Sequence, residues 1–260
     1  MKIVCCVKYV PDATADRRFN SDHTVDRAGV DGVLSELDEY AVEEALKIRE
    51  AVDESEIVVV TMGPDIARAA ILKSLQMGAD SGVHVVDEAI HGSDAVGTSL
   101  VLAKVIEQQQ ADLVLCGMAS TDGSMSVLPA MLAERLGLPQ VTFASEVSLD
   151  GSTVRIRRDG DAATEMIEAT APLLLSVTDQ ANEPRYPSFK GIMAAKKKPV
   201  ETVSLADLGI DAADVGLDAA WTRVEDAQSR PPRSAGTVVT DEDGTGADRL
   251  VEFLAGQKFI

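Results

Sequence analysis

The sequence predicts an α/β protein with a doubly wound, mostly parallel sheet, carrying an antiparallel excursion and an extended C-terminal arm. Three observations carry this. The apolar runs Ile3 to Val7, Ile57 to Thr61 and Leu113 to Cys116 are short, β-rich and followed by turns, as in strands buried on both faces. Segments of helical period lie between them. Aromatic residues make up only 3% of the 260, so the core has to be Val, Ile, Leu, Ala and Met, which suits helices packed on a buried parallel sheet.

The chain enters its first strand at once, through Met1-Lys2-Ile3-Val4-Cys5-Cys6-Val7-Lys8. A helix follows over Leu37 to Val52: Asp38 and Glu39 favour its N-terminus, and Ala41, Val42, Ala45, Leu46 and Ile48 form one stripe. Asp65 to Met77 reads as a second helix with Gly78 as its C-cap. Gly82 to Val86 is a short strand, and Ser93 is placed to cap a third helix carrying Val96, Leu100, Val101 and Val105. A fourth helix runs from about Met125 to Leu136 and stops at Gly137. Strands alternating with helices of this length imply right-handed crossovers and a parallel sheet.

The pattern then changes. Gln140 to Leu149, Thr153 to Arg158 and Glu165 to Thr170 read as strands joined at Asp150-Gly151 and Asp159-Gly160 turns, and Pro172 to Thr178 as a strand returning to the main sheet. From Asn182 periodicity weakens, and Ser204 to Gly246, rich in Asp, Gly, Pro and Ala, reads as unable to build its own core. Ala247 to Leu254 closes the chain as a short helix. The expected division is a nucleotide-binding α/β domain over residues 1–190 and an arm over 191–260 that packs on a partner subunit.

Composition removes several function classes. With 45% apolar and 26% charged residues the chain is globular, and a formal charge of −19 opposes binding to nucleic acid and to anionic membranes. The acidity fits a high-salt or otherwise acidic proteome as well as any special function. The three cysteines, Cys5, Cys6 and Cys116, form no disulfide framework and read as buried strand residues. No apolar run near 18 residues and no charged-then-apolar leader occurs, so the expectation is a cytoplasmic protein that is not integral to a membrane. His23, His84 and His91 stand without a serine elbow, HExxH or CxxC, so no catalytic residue and no metal site is expected.

Ligands of a doubly wound sheet bind at the carboxyl ends of its strands, where strand order reverses. Three segments should meet there: Lys8 to Asp12, Met62-Gly63-Pro64, and Gly117-Met118-Ala119-Ser120-Thr121-Asp122-Gly123-Ser124-Met125-Ser126. The last admits two readings, a flexible loop or a cradle whose backbone N–H groups receive a phosphate. It is neither a P-loop nor a GxGxxG, which argues against kinases and ordinary dehydrogenases. A second unusual segment runs from Asn182-Glu183-Pro184-Arg185-Tyr186 through Phe189 to Ile192-Met193-Ala194-Ala195-Lys196-Lys197-Lys198. Its lysines fit a solvated face, and its apolar anchors beside a basic cluster also fit a protein-docking element.

This second segment, with Val7-Lys8, Pro11-Asp12, Asp38-Glu39-Tyr40-Ala41-Val42-Glu43-Glu44-Ala45, Met77-Gly78-Ala79-Asp80 and Leu136-Gly137-Leu138-Pro139, resembles the β subunit of electron-transfer flavoprotein, including its FixA form, along essentially the whole chain. The resemblance implies a heterodimer with an α subunit that holds most of a redox-active FAD. It implies a second nucleotide, AMP or another FAD, in the β subunit's own sheet. Electrons would come from flavin dehydrogenases, or from NADH in bifurcating systems, and leave to a quinone reductase or another acceptor. Carried over by position, the second nucleotide meets Cys6, Ser35 to Asp38, Met62, and the loop of Gly117, Ser120, Thr121, Asp122, Gly123, Ser124, Met125, Ser126, Val127 and Leu128. Phe189 takes the place of the family's apolar anchor for dehydrogenases, beside Tyr186, Ile192, Met193, Lys196, Lys197 and Lys198, and Glu165 matches an acidic position near the α-subunit interface. Many members have Asn-Pro where this chain has Ser35-Glu36, Gln where it has Val127, and some an aromatic where it has Ala13, which leaves AMP and a second FAD both open. The competing expectation is an adenylate-binding module that senses nucleotides without redox chemistry; it has no use for the arm or for Lys196 to Lys198.

Overall fold

Along the chain the elements are β1 (Lys2–Cys6), β2 (Tyr9–Pro11), β3 (Gly32–Leu34), α1 (Glu36–Ala51), β4 (Glu56–Met62), α2 (Arg68–Met77), β5 (Ser81–Val85) and α3 (Ala95–Gln109). They continue with β6 (Leu113–Gly117), α4 (Leu128–Leu136), β7 (Gln140–Ala144), β8 (Glu146–Asp150), β9 (Thr153–Asp159), β10 (Thr164–Thr170) and β11 (Leu173–Val177). Last come α5 (Phe189–Ala195), β12 (Val200–Val203), α6 (Gly216–Ala219) and α7 (Gly246–Gly256). This computed structural model describes all residues except 16, 53, 229–230, 232–235, 237 and 242. The described residues form two compact units, Met1–Glu225 and Asp226–Ile260.

In the first unit seven strands pair in the order β12-β5-β4-β1-β6-β11-β7, every pair parallel. From β1 the chain steps outward through β4 to β5; from β6 it builds the other side through β11 and β7. Strand order therefore reverses between β1 and β6, which opens a crevice at their carboxyl ends. The two-residue period of the strands divides the core. Ile3, Cys5, Ile57, Val59, Leu113 and Leu115 face the side of α1 and α2, while Val4, Cys6, Val58, Val60, Val114 and Cys116 face α3 and α4. The expected α/β architecture is what the chain forms, with β8, β9 and β10 as the separate antiparallel sheet.

Four details differ from the sequence reading. The third helix is capped by Asp94, not Ser93: Asp94 Oδ1 accepts from the Val96 and Gly97 N–H groups at 2.9 and 3.1 Å, and Ser93 Oγ donates to Ile90 O. The other carboxylate oxygen of Asp94 accepts from the Trp221 and Thr222 N–H groups, so one side chain also ties down the chain leaving α6. The fourth helix starts at Leu128, because Ser124 and Ser126 adopt positive φ of 53° and 57° and keep the loop open. The single strand expected over Gln140 to Leu149 is two: Phe143 has φ 60° and Ser145 N–H donates to Arg157 O, so β7 pairs with β11 and β8 turns to β9.

The fourth difference lies in the segment read as arm. Residues 200–203 form the edge strand β12 on β5, and Leu205, Leu208, Ile210 and Val215 join the second core. Short apolar steps between polar residues hid this contribution. In the second unit α7 matches the expected short C-terminal helix; it leaves Leu250, Val251 and Phe253 exposed and buries no residue. Part of the arm lies outside the described residues. Among the described residues no helix is long and apolar enough to cross a membrane.

Candidate functional site

The crevice between β1 and β6 is built on α1. Ser35 is fully buried; its N–H donates to Lys8 O, and Thr121 N–H reaches its Oγ at 3.4 Å. Asp38, on the first turn of α1, lies buried between the two strand ends. Its Oδ2 accepts from the Lys8 N–H at 2.8 Å, and the backbone of Gly117 lies against the same carboxyl. Gly117 allows this approach: a Cβ there would stand 2.6 Å from Leu37 O and 2.7 Å from Asp38 Oδ1. Burial pushes the Asp38 carboxyl up to about 7, against the opposing pull of the Lys8 amide and ammonium.

Beyond Gly117 the loop gathers positive charge. Asp122, with its side chain 1% exposed, receives Lys8 Nζ at 2.8 Å and the Arg27 guanidinium. Burial alone would raise the Asp122 carboxyl, but Lys8 and Arg27 outweigh it and hold the group well below the usual carboxylate range. Arg17 donates to the carbonyls of Thr121 and Asp122, and Ser120 Oγ accepts from Lys8 Nζ and from the Gly123 N–H. Three cations thus meet one loop in a chain of net charge −19. Val127 gives α4 no side-chain cap, and the N–H groups of Met125, Ser126 and Val127 meet no acceptor among the described residues. Open amides ahead of a helix, flanked by cations, suit an anion such as a phosphate.

Of the positions the sequence proposed, Ser35, Asp38, Gly117, Ser120, Thr121, Asp122 and Gly123 come together around Lys8. Ser124, Met125, Ser126, Val127 and Leu128 continue the loop to α4, with Met125 and Val127 exposed. Cys6 is buried at the end of β1, and Met62 ends β4, one strand further along the sheet. Sequence reading missed Arg17 and Arg27, which lie between β2 and β3. Their signal was the scarcity of basic residues in so acidic a chain.

The two carboxylates give opposite pH dependence. Asp38, raised in the folded state, contributes stability that is present below about pH 4 and is lost as pH rises toward 7. Asp122, depressed in the folded state, contributes stability that is present above about pH 4 and is lost as the solution is made more acid. Asp122→Asn is therefore expected to lower the urea midpoint at pH 7, with a penalty that shrinks steadily below about pH 4. A penalty independent of pH would contradict this origin.

The second site is the segment between β11 and β12. Arg185 clamps it to α1, with Nε and Nη2 each 2.8 Å from the buried Glu43 carboxylate and Nη1 on Glu50. The Asn182 amide donates to Tyr40 O and to the buried Glu44. Ser188 caps α5 through the Gly191 N–H, and α5 lies so close to α2 that a Cβ on Gly191 would stand 2.4 Å from Gln76 O. So held, the segment leaves Tyr186 93% and Phe189 81% exposed, with Ile192, Met193, Lys196 and Lys197 also at the surface. Lys198 differs from its neighbours: its ammonium donates to the carbonyls of Leu75, Gly78 and Ala79 at the end of α2, and burial lowers its pKa. Glu165, on β10, is paired with Arg158 at 2.8 Å.

Fold and geometry define a class: a doubly wound α/β protein with a cation-lined crevice at its switch point and a rigidly mounted apolar helix on its surface. The model of the electron transfer flavoprotein domain matches residues 22–208. Curated relatives named electron transfer flavoprotein subunit beta are 45% identical in Mycobacterium tuberculosis over 264 residues, 99% of each chain, and 33% identical in Megasphaera elsdenii over 270 residues, all of each chain. A third, from Clostridium acetobutylicum, is 33% identical over 260 residues and the full length of both. The chain belongs to the electron transfer flavoprotein family, among its β subunits, and its part in electron transfer follows from that membership.

Proposed function

We propose that this chain pairs with an electron transfer flavoprotein α subunit, and that the heterodimer carries electrons from flavin dehydrogenases to a quinone reductase or another acceptor through an FAD held mainly by the α subunit. The observation that carries the proposal is the mounted helix α5. Its apolar residues face outward while Arg185, Asn182 and Lys198 fix it from beneath, an arrangement suited to a partner and superfluous for a lone nucleotide sensor. The bound flavin supplies the redox chemistry, and the polypeptide positions it and shapes its electrostatics. No acid, base or nucleophile of this chain is needed.

In this reading the crevice holds a second nucleotide, AMP or FAD. The open amides of residues 125–127, with Lys8 and Arg27 close by, receive its phosphate. Of residues 191–260, those beyond the β12 and core contacts supply the arm toward the α subunit, and Glu165 lies near that interface. We place the heterodimer in the cytoplasm.

Co-expression with a candidate α subunit tests the proposal: a yellow heterodimer is expected, and a colourless, stable monomer would overturn it. Denaturing the purified complex and identifying the released nucleotides separates AMP plus FAD from two FAD per heterodimer, the second pointing to bifurcation. Phe189→Ala is expected to lower kcat/KM for electron receipt about tenfold, the scale of one buried anchor, without loss of FAD. Unchanged turnover at sub-saturating carrier would remove Phe189 from the docking role.

A further inference from the structure

The connection from β2 to β3 folds as a hairpin over Arg18 to Asp26. The Asp26 N–H donates to Arg18 O at 2.9 Å, Phe19 bridges Val25, and the Asn20 N–H donates to Thr24 O, with His23 at φ 64° in the turn. Its base sits on the crevice loop: Arg17 donates to the Thr121 and Asp122 carbonyls, and Arg27 pairs with the buried Asp122 carboxylate. Its tip sits elsewhere. His91 Nε2 donates to Asp22 Oδ2 at 2.7 Å, and His23 Nδ1 donates to Val224 O at 3.0 Å.

These anchors fix the path of the hairpin. Asp122 follows the carboxyl end of β6 and His91 that of β5, and the order β5-β4-β1-β6 puts three strand intervals between them. At about 4.8 Å each they span roughly 14 Å, and the five steps from Arg17 to Asp22, extended at about 3.3 Å each, reach roughly 16 Å. The hairpin therefore runs across the carboxyl ends of β1 and β4, at the mouth of the crevice. Its returning strand, Asp22 to Arg27, is half-buried against the body, while the outgoing residues Arg17 to Ser21 are exposed.

We propose that this hairpin is a strap over the nucleotide crevice, hinged at Arg27–Asp122 and latched at Asp22–His91, and that release of the latch sets how fast nucleotide enters and leaves. The inference rests on reading the crevice as a nucleotide site. The two fastenings differ in kind. At the base, the Asp122 side chain is 1% exposed and held by both Lys8 and Arg27, so letting go would strand a buried charge. At the tip, the His91 side chain is 60% exposed and that of Asp22 29%, and a pair so open to water holds weakly. The tie from His23 to Val224 is a single hydrogen bond. Opening at the tip is therefore the easy motion, and it lifts the strap while its base stays in place. Asp22 and His91 make no hydrogen bond to the crevice loop among the described residues, so they act on it through the strap, as the latch of a lid gates exchange.

The test varies His91, because Asp22 Oδ1 also accepts from Thr24 and shapes the turn. The full-length chain, purified with its α subunit, is loaded with labelled AMP or with FAD and chased with excess unlabelled nucleotide at pH 7; uptake by the emptied protein is timed separately. His91→Ala should release nucleotide about threefold faster than wild type, and His91→Glu, which turns a like charge toward Asp22, about tenfold faster. His91→Lys, which restores a cation, should release no faster than wild type. Uptake should quicken in the same order, so that Kd moves less than either rate, and salt should narrow the gap between His91→Glu and His91→Lys. Equal release rates in wild type, His91→Ala and His91→Glu, or faster release with uptake unchanged, would overturn the strap while leaving the nucleotide reading intact. Wild type that takes up neither AMP nor FAD would instead defeat that reading. A distance measurement decides the latch without any ligand: spin labels at Ser21→Cys and Asp218→Cys, exposed positions in a chain whose native cysteines are buried, should show a second, longer separation in His91→Glu. One unchanged separation would overturn the latch.

Discussion

Gly117→Ala should cost about 3 kcal/mol of stability and strip the crevice of bound nucleotide. The new Cβ would lie 2.6 Å from Leu37 O, 2.7 Å from Asp38 Oδ1 and 2.8 Å from the Leu37 carbonyl carbon. Two of these three atoms are backbone at the start of α1, which cannot swing aside as a long side chain would. Relief requires β6 and α1 to separate, and that separation carries the loop that follows Gly117 with it. Urea unfolding and the nucleotide content of the purified heterodimer are the measurements. An unchanged midpoint with full nucleotide content would mean that the two elements slide apart freely.

Arg185→Leu should be comparably severe. Glu43 is 5% exposed, and the Arg185 guanidinium meets it with two hydrogen bonds. Removing one member of a buried ion pair leaves the other desolvated and unpaired, a loss of about 3–5 kcal/mol where the site is fully closed. Arg185 is partly open to solvent, with its side chain 36% exposed, so the lower end of that range applies. The signature of the mechanism is recovery: Glu43→Leu in the same chain removes the stranded charge and should restore most of the stability, although neither change alone is tolerated. Additive losses in the double variant would show that the pair is not the source. Because the clamp carries the segment leading to α5, Arg185→Leu should also raise KM for the electron donor more than it lowers kcat.

The parallel sheet was legible because its strands are continuous apolar runs. Ile57 to Thr61 and Leu113 to Cys116 fall within a residue or two of β4 and β6. Helix ends were read correctly where glycine made them: Gly78 and Gly137 both sit at positive φ. The rest turned on contacts distant in sequence. Strand β12, Val-Glu-Thr-Val, is too short and polar to announce itself, and it becomes a strand only by lying along β5. The β2–β3 pair was hidden in a loop of charged and small residues. In the crevice, the gathering of the loop after Gly117 with Ser35 and Lys8 was readable from position, but the burial of Asp38 was not, because an acidic residue on the first turn of a helix ordinarily points to water. Lys198 was read with its neighbours as part of a basic cluster; the exposed carbonyls at the end of α2 single it out, and those carbonyls belong to residues more than a hundred positions earlier.

The mounting of α5 also fixes when it can exist. Its fasteners lie on α1 and α2, made early in the chain, and β12, which follows it, must find β5 at the sheet edge. A polypeptide still emerging from the ribosome, or one that has lost half its sheet, therefore lacks the contacts that order this helix. Under the docking role proposed for α5, recruitment of a donor becomes an audit of completeness, open only to a finished subunit.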